Sequence, residues 1–401
     1  MDLHSGSPFW AMKNPLFQNA PSLRSNIEVD VVIIGGGITG ALVAHELCSA
    51  GICCAVVDKR AIAGGSTSAS TAQLQYEIDV PLHKLVKEVG EAQAALAYHA
   101  SLKSIADIKK IVKQTGIDAV FTQVPTLLLA SDRKGLRNIK HEYAIRTKHR
   151  LPVTYLDADT LQNQYGIERF GALKNNASAQ VDCYRMATHL FAYHQTHHQL
   201  QLYAYTEVIG YKRKGTHFMV ETQKGLTITC TYMVIAAGFE AGKFLPEKVM
   251  KLISTYALVS EPLLPSELWP ERCLIWETHQ PYFYLRTTVD NRIMMGGEDI
   301  PFKNAVLRDA KLADKTKTLE RKFRKLFPHI PMETDFSWCG TFSSTKDGLP
   351  YIGEYKGKKN IFFALGYGGN GITFSMIAAQ LIRNKIQGKQ DKREKVFGFD
   401  R

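Results

Sequence analysis

Cysteine is sparse and unpatterned in this 401-residue chain: Cys48, Cys53, Cys54, Cys183, Cys230, Cys273 and Cys339 are odd in number, and no two are spaced Cys-x-x-Cys. That argues against a disulfide framework and a structural zinc site, and no metal is expected. Long apolar runs are lacking as well. The most apolar stretch, Val29 to Val57, is interrupted by Gly35-Gly36-Gly37, His45 and Glu46, so it reads as strand, turn, helix and strand rather than as a membrane span. The first residues, MDLHSGSPFWAMKNPLFQ, lack a basic segment followed by an apolar one, so no secretory signal is expected and a cytoplasmic location is the default. There is no internal repeat.

Acidic charge is in deficit, with 50 Lys and Arg against 38 Asp and Glu, a net charge of +12. This suits anionic ligands or surfaces without selecting one. The basic runs 133–150, 311–325 and 385–395 read as charged helix faces, so nucleic acid is not an expected partner and peripheral membrane contact has no further support. His194, His197 and His198 lie at helical spacing with no carboxylate or cysteine beside them, which reads as a solvated helix end.

The length suggests roughly two to three domains. Glu28–Ile34 is a β-branched run ending in glycines, followed by helical spacing over Thr39–Ser49 and a short strand at Cys53–Val57. One or two amphipathic helices are expected over Leu82–Thr115, a helix at Met186–His198, and strands at Tyr203–Lys212, His217–Thr222 and Thr227–Ala236. Strand formers at Ile253–Glu261, Tyr282–Thr288 and Arg292–Gly296, followed by a basic amphipathic helix at Leu307–Phe327, suggest an antiparallel sheet with a covering helix. A strand at Ile361–Leu365, a glycine loop and a helix at Ile372–Ile386 close the chain.

Gly35-x-Gly37-x-x-Gly40 sits between a strand and a helix, where a dinucleotide fingerprint belongs. Gly35 permits the tight turn, Gly37 lets backbone approach a pyrophosphate at the helix N-terminus, where Ile38 and Thr39 lie, and Gly40 allows close helix-strand packing. Asp58, at the end of the next strand, is placed to accept ribose hydroxyls, with Lys59 and Arg60 behind it. A second Gly-x-Gly-x-x-Gly, at Gly366, Gly368 and Gly371, leaves too little chain for another nucleotide domain. Its helix is expected to return to the first domain and point its positive end at the same ligand, which favours FAD over NAD because a reduced flavin gathers negative charge at N1 and C2=O.

These residues resemble the FAD-dependent oxidoreductases of the D-amino acid oxidase superfamily, which includes glycine, sarcosine and gamma-glutamylputrescine oxidases. The resemblance runs from about residue 30 to 388 and rests on VDVVIIGGGITGALVAHELCSAG, AGGSTSASTAQLQ, VIAAG, YFYLRTTVDNRIMMGG and the pair WCGTFSSTKDGLPYIG and ALGYGGNGITFS. It implies an α/β fold, α+β overall, with a Rossmann-like FAD-binding domain (1–82, 152–248 and 336–401) and an antiparallel-sheet substrate domain inserted in it (83–151 and 249–335). It also implies that Gly65, Ser66 and Thr67 cover the FAD pyrophosphate, that Gln73 and Leu74 run beside the isoalloxazine, that Val208 meets adenine, and that Ala237 and Gly238 turn next to the nucleotide. Gly366, Gly368, Gly369, Asn370, Gly371, Ile372 and Thr373 form the second contact with the flavin.

Departures from the family bear on substrate. Phe342 and Gly369 stand where glycine oxidase-like members carry arginines, and losing a guanidinium clamp argues against a simple α-amino acid. Tyr284, Arg286, Asp290 and Arg292 instead look like the gamma-glutamylputrescine oxidase branch. The cysteine that binds flavin covalently in sarcosine oxidase-like enzymes falls at Gly340, beside Cys339, so noncovalent FAD is expected. The lysine that activates oxygen there falls at Met294, which leaves O₂ or another electron acceptor open. The reaction expected is hydride transfer from the carbon beside an amine nitrogen to flavin, with the resulting imine hydrolysed. Tyr256, Tyr282, Tyr284, Phe342 and Tyr367 are candidate pocket walls, and Arg286 is the candidate substrate anchor. The alternatives are a glycine or D-amino acid oxidase or dehydrogenase, and a basic flavoprotein that binds RNA or a membrane.

Overall fold

The computed structural model describes residues 3–401. Five parallel strands form the centre of one sheet, in the order Ile361–Leu365, Thr227–Ile235, Ile27–Ile34, Cys54–Val57 and Gln201–Tyr203. Ile27–Ile34 reads as a nearly continuous β-branched run because both of its faces are covered. Val31 and Ile33 face the core beneath the helices, while Val32 and Ile34 enter a core shared with Phe218, Val220 and Phe363. Helices Ile38–Cys48, Cys183–His197 and Gly371–Ile386 pack on the first of these faces. Thr39 to Cys48 are buried without a gap, which explains why that helix has no polar face.

The second sheet has ten strands and is antiparallel except where Leu274–Glu277 runs parallel to Thr122–Leu129. Helix Leu312–Leu326 covers it through Leu319, Phe323 and Leu326, and Trp269 stacks on Phe327 with ring centroids 5.2 Å apart. Strand membership departs from the sequence-based boundaries. His4–Gly6, Gln73–Leu74, Thr154–Leu156, Ala172–Gln180 and Thr334–Ser344 all join this sheet, although all but the first two residues of the last fall in the ranges assigned to the FAD domain. Conversely, helix Glu91–Thr115 packs on Gly371–Ile386, with Gln380 Nε2 donating to Asp107 Oδ2 at 2.8 Å. Strand pairing is non-local, and periodicity does not report it.

Three smaller corrections follow. Tyr203–Lys212 is two elements, Gln201–Tyr203 in the parallel sheet and Val208–Lys214 in an antiparallel ribbon with His217–Thr222. Leu307–Phe327 is also two, with helix Ala305–Asp309 preceding Leu312–Leu326. His194 is fully buried rather than solvated: its Nε2 lies 2.9 Å from His45 Nδ1 and its Nδ1 3.0 Å from His198 Nδ1. Burial, then the neighbouring imidazoles, hold His194 near 3 and so uncharged.

Deep between helix Arg133–Lys148 and the segment that follows strand Gln73–Leu74 lies a buried charge cluster. Arg146 donates from Nε to Glu142 Oε1 at 2.7 Å and from Nη1 to Glu77 Oε1 at 3.0 Å. Glu142 also accepts the backbone N–H groups of Leu82 and His83, each at 3.0 Å. Burial alone would raise the Glu142 carboxyl, but Arg146 and His83 overcome it and hold the group at about 2. A carboxyl depressed in the folded state stabilises above its unfolded value, near 4.5, and loses that contribution as pH falls towards 2. Glu142→Gln is therefore expected to be less stable than the parent by about 2–4 kcal/mol at pH 7, with the gap in urea midpoint closing between pH 4.5 and 2. A gap independent of pH would contradict this pairing.

Candidate active site

The parallel strands end in a cavity of ≈ 1440 Å³ that continues under the second sheet. This exceeds the ~300–1,000 Å³ typical of a site for one drug-sized ligand, so it has room for a dinucleotide and a substrate.

At one end the walls are Gly35, Gly37, Ile38 and Thr39, then Asp58, Lys59 and Arg60, with Val208, Ala237 and Gly238 opposite. Gly35 has φ +121° and a Cβ there would lie 2.3 Å from the Ala236 carbonyl oxygen, so only glycine fits. Gly40 does not line the cavity; its bare Cα packs on the Gly35 carbonyl, where a Cβ would come within 2.0 Å, and it thereby holds the helix N-terminus to the strand. Asp58 is fixed by two backbone donors, Gly36 N to Oδ2 and Arg60 N to Oδ1, each at 2.8 Å. Burial raises its carboxyl despite those bonds. Lys59 and Arg60 are shared with Glu240, at 2.7 and 2.8 Å, which tempers their charge toward a ligand.

Gly65, Ser66 and Thr67, at the start of the short helix Ser66–Ala69, form the next stretch of wall. Thr67 Oγ1 accepts the Ile38 backbone N–H at 3.0 Å, and the indoles of Trp10 and Trp338 donate to the carbonyls of Ser70 and Ala69 at 2.6 and 2.8 Å. From the C-terminal loop, Gly366, Tyr367, Gly368, Gly369, Asn370, Gly371 and Ile372 face the cavity, and the sixteen-residue helix Gly371–Ile386 begins there. Thr373 does not reach it; its hydroxyl bonds back to the Asn370 carbonyl at 3.0 Å.

Residues 73–79 alternate. Gln73, Gln75, Glu77 and Asp79 line the cavity, whereas Leu74, Tyr76 and Ile78 are fully buried among the first core, although Ile78 also touches the wall. Leu74 is thus a core residue, and Gln75 is the wall residue that the sequence reading missed, although its polar-apolar alternation was a readable signal. Gln73 Nε2 and Gln75 Nε2 are buried there without a partner. With the glycine cradle and Asp58, these waiting donors fit FAD, whose ring edge offers acceptors. Asp58 and the first glycine loop would hold the adenosine and phosphates, and Gln73, Gln75 and the second glycine loop the ring system.

At the other end stand Tyr282, Tyr284, Phe342 and Tyr367, all candidates from the sequence, with Trp276, Asp79 and Asp299, which were not. Tyr256 belongs to the core of the second sheet, its hydroxyl donating to the Arg308 carbonyl at 3.2 Å. Met294 and Cys339 are fully buried away from the cavity, whereas Gly340 lines it. Arg286 is the main correction. It is 2 % exposed and does not line the cavity: Nη1 donates to the carbonyls of Thr71, Ala72 and Val181 at 3.0, 2.9 and 3.0 Å, Nε donates to Thr287 O at 3.2 Å, and its face lies over Trp10. Burial lowers its pKa to about 10. Arg286 shares a strand face with Tyr284, two residues earlier, but its place along the strand puts it beneath the carbonyls of residues 71, 72 and 181 instead of beside the cavity.

Residues 30–384 match the DAO family, FAD dependent oxidoreductase. The chain is 26% identical to glycine oxidase of Geobacillus kaustophilus over 380 residues, covering 90% of this chain and 93% of that one. It is 24% identical to gamma-glutamylputrescine oxidoreductase of Escherichia coli over 404 residues, 98% of this chain and 91% of the relative. The solved structure of the Geobacillus glycine oxidase superposes with a TM-score of 0.78 at 22% identity, covering 92% of this chain and 96% of that one, which shows the fold.

Arg286→Leu separates a structural arginine from a substrate anchor. Orphaned carbonyls cost about 1–3 kcal/mol each, partly recovered by relaxation, so the variant is expected to lose roughly 2–5 kcal/mol of stability while KM stays within about twofold. A KM raised by an order of magnitude in a fully stable variant would return Arg286 to the site.

Proposed function

The chain belongs to the DAO family of FAD dependent oxidoreductases, and from that membership we propose that it oxidises a carbon-nitrogen bond of an amine related to gamma-glutamylputrescine rather than of a simple α-amino acid. One observation supports this above the others: among the lining residues the only arginine is Arg60, at the Asp58 end, where Glu240 shares it. Phe342 and Gly369 present no charge to the opposite end. An α-carboxylate buried there would lack the forked donor that usually compensates it.

Bound FAD would accept a hydride equivalent from the carbon beside the nitrogen. The side chains supply the setting. Trp276, Tyr282, Tyr284, Phe342 and Tyr367 displace water and favour the neutral amine whose lone pair drives C–H cleavage. Tyr282, Tyr284 and Tyr367 have their own hydroxyls raised by burial, Tyr282 to about 12, so they remain protonated and do not serve as bases at neutral pH. The imine is then hydrolysed by water. O₂ or another acceptor returns the enzyme to its oxidised form.

The purified holoenzyme, mixed without oxygen with ω-amines, glycine and D-alanine in turn, is expected to lose its visible flavin band with amines and keep it with the α-amino acids. Bleaching by glycine and not by amines would replace this reading with the glycine oxidase one.

A further inference from the structure

Acidic side chains crowd the end of the cavity that lacks arginine. Asp79 and Asp299 both line it, and neither forms an ion pair among the described residues. Asp79 Oδ2 accepts the Gly369 backbone N–H at 2.8 Å, and this is its one hydrogen bond there; Asp299 Oδ1 is buried with no partner. Two residues before Asp79 along the extended segment, Glu77 is 5 % exposed, lines the same cavity and keeps Oε2 without a partner after Arg146 and Asn175 have taken Oε1 at 3.0 and 2.6 Å. Asn370 Nδ2 donates to the Glu77 carbonyl at 2.7 Å, so one loop, 369–370, gathers Glu77 and Asp79 together.

Aromatic faces complete the enclosure. Trp276 and Tyr284 are cross-strand partners, Trp276 and Tyr282 have ring centroids 6.2 Å apart, and the Tyr282 hydroxyl donates to the Asp79 carbonyl at 3.0 Å. Carboxylates beside aromatic faces are what a cation needs on leaving water. The nearby lysines do not supply it. Lys315 and Lys322 bind Glu298, at 2.9 and 2.5 Å, and Lys346, which lines the cavity, forms no ion pair with Asp79 or Asp299. Burial first, then Asp79 and Glu298 as like charges, raise the Asp299 carboxyl to about 6. Unpaired acids in such a place repel one another until a cation separates them.

We infer that Asp79 and Asp299, walled by Trp276, Tyr282 and Tyr284, form a subsite for a second ammonium group, so that the preferred substrate is an α,ω-diamine or a derivative that retains a positive charge remote from the reacting nitrogen. This deepens the amine reading above and rests on it. The neutral nitrogen reacts, and the remote ammonium fixes how far the chain reaches.

Butane-1,4-diamine and butan-1-amine are the probes. Binding is read from perturbation of the oxidised flavin band and by calorimetry, and reaction from anaerobic bleaching. The diamine is expected to bind the holoenzyme about tenfold or more tightly than the monoamine. Asp299→Asn should abolish that preference while leaving the monoamine within about twofold, and Asp79→Asn, tested separately because Asp79 also holds Gly369, should abolish the preference too. Equal binding of the two probes by the parent protein, or a preference that survives both substitutions in flavin-loaded variants, overturns the subsite. Bleaching by both amines with no binding preference overturns the subsite alone. Bleaching by glycine and by neither amine overturns the amine reading, and the subsite with it.

Discussion

A carboxylate buried as deeply as Glu77 must be paired or neutralised, because an isolated charge in that position costs several kcal/mol. Arg146 pairs it and is in turn held by Glu142 on the same helix, so the Arg133–Lys148 helix is tied to the extended segment 73–79. That segment carries alternate residues to the cavity and to the core, and its position decides where Gln73, Gln75 and Asp79 face. Asn370 and Gly369 then bond to it from the second glycine loop, which sets the start of helix Gly371–Ile386 against the same space. The chemistry-bearing end of the site depends on one buried ion cluster more than on any single strand.

The opposite end depends on glycine. Gly35 turns the chain where a side chain has no room, and Gly40 lets the helix approach the turn. Asp58 is oriented by the two backbone amides it accepts. The two ends are therefore built differently: close backbone approach where phosphates and ribose are proposed to lie, buried side-chain charge where substrate is proposed to lie. The cavity spans both.

What was legible in the sequence was local. A strand, a glycine turn, a helix and an acid at the end of the next strand all lie within residues 27–58, and each is specified by its neighbours. Phe342, Tyr284 and Tyr367 reached the cavity as expected because their motifs carry their own strand and loop context. Arg286 did not, because the carbonyls at 71, 72 and 181, far away in the chain, close over it although it shares a strand face with Tyr284. Asp299 carries no local signal either: nothing near it in sequence says that it will line the same cavity as Asp79. Leu74 and Gln75 could have been told apart by period-two alternation, and His194 by its place on the buried side of its helix. The N-terminal strand His4–Gly6, added to the edge of Thr334–Ser344, carries no local signal of its partner.

One cavity is proposed to hold FAD with its adenosine at Asp58 and to leave an acidic, aromatic chamber for an amine. A crystal structure of the holoenzyme grown with butane-1,4-diamine tests it directly. Ribose oxygens are expected on Asp58, the flavin ring beside Gln73 and Gln75, and the remote nitrogen of the diamine between Asp79 and Asp299. A ring system bound elsewhere, or a chamber in which a carboxylate ligand is met by Arg286, would contradict it.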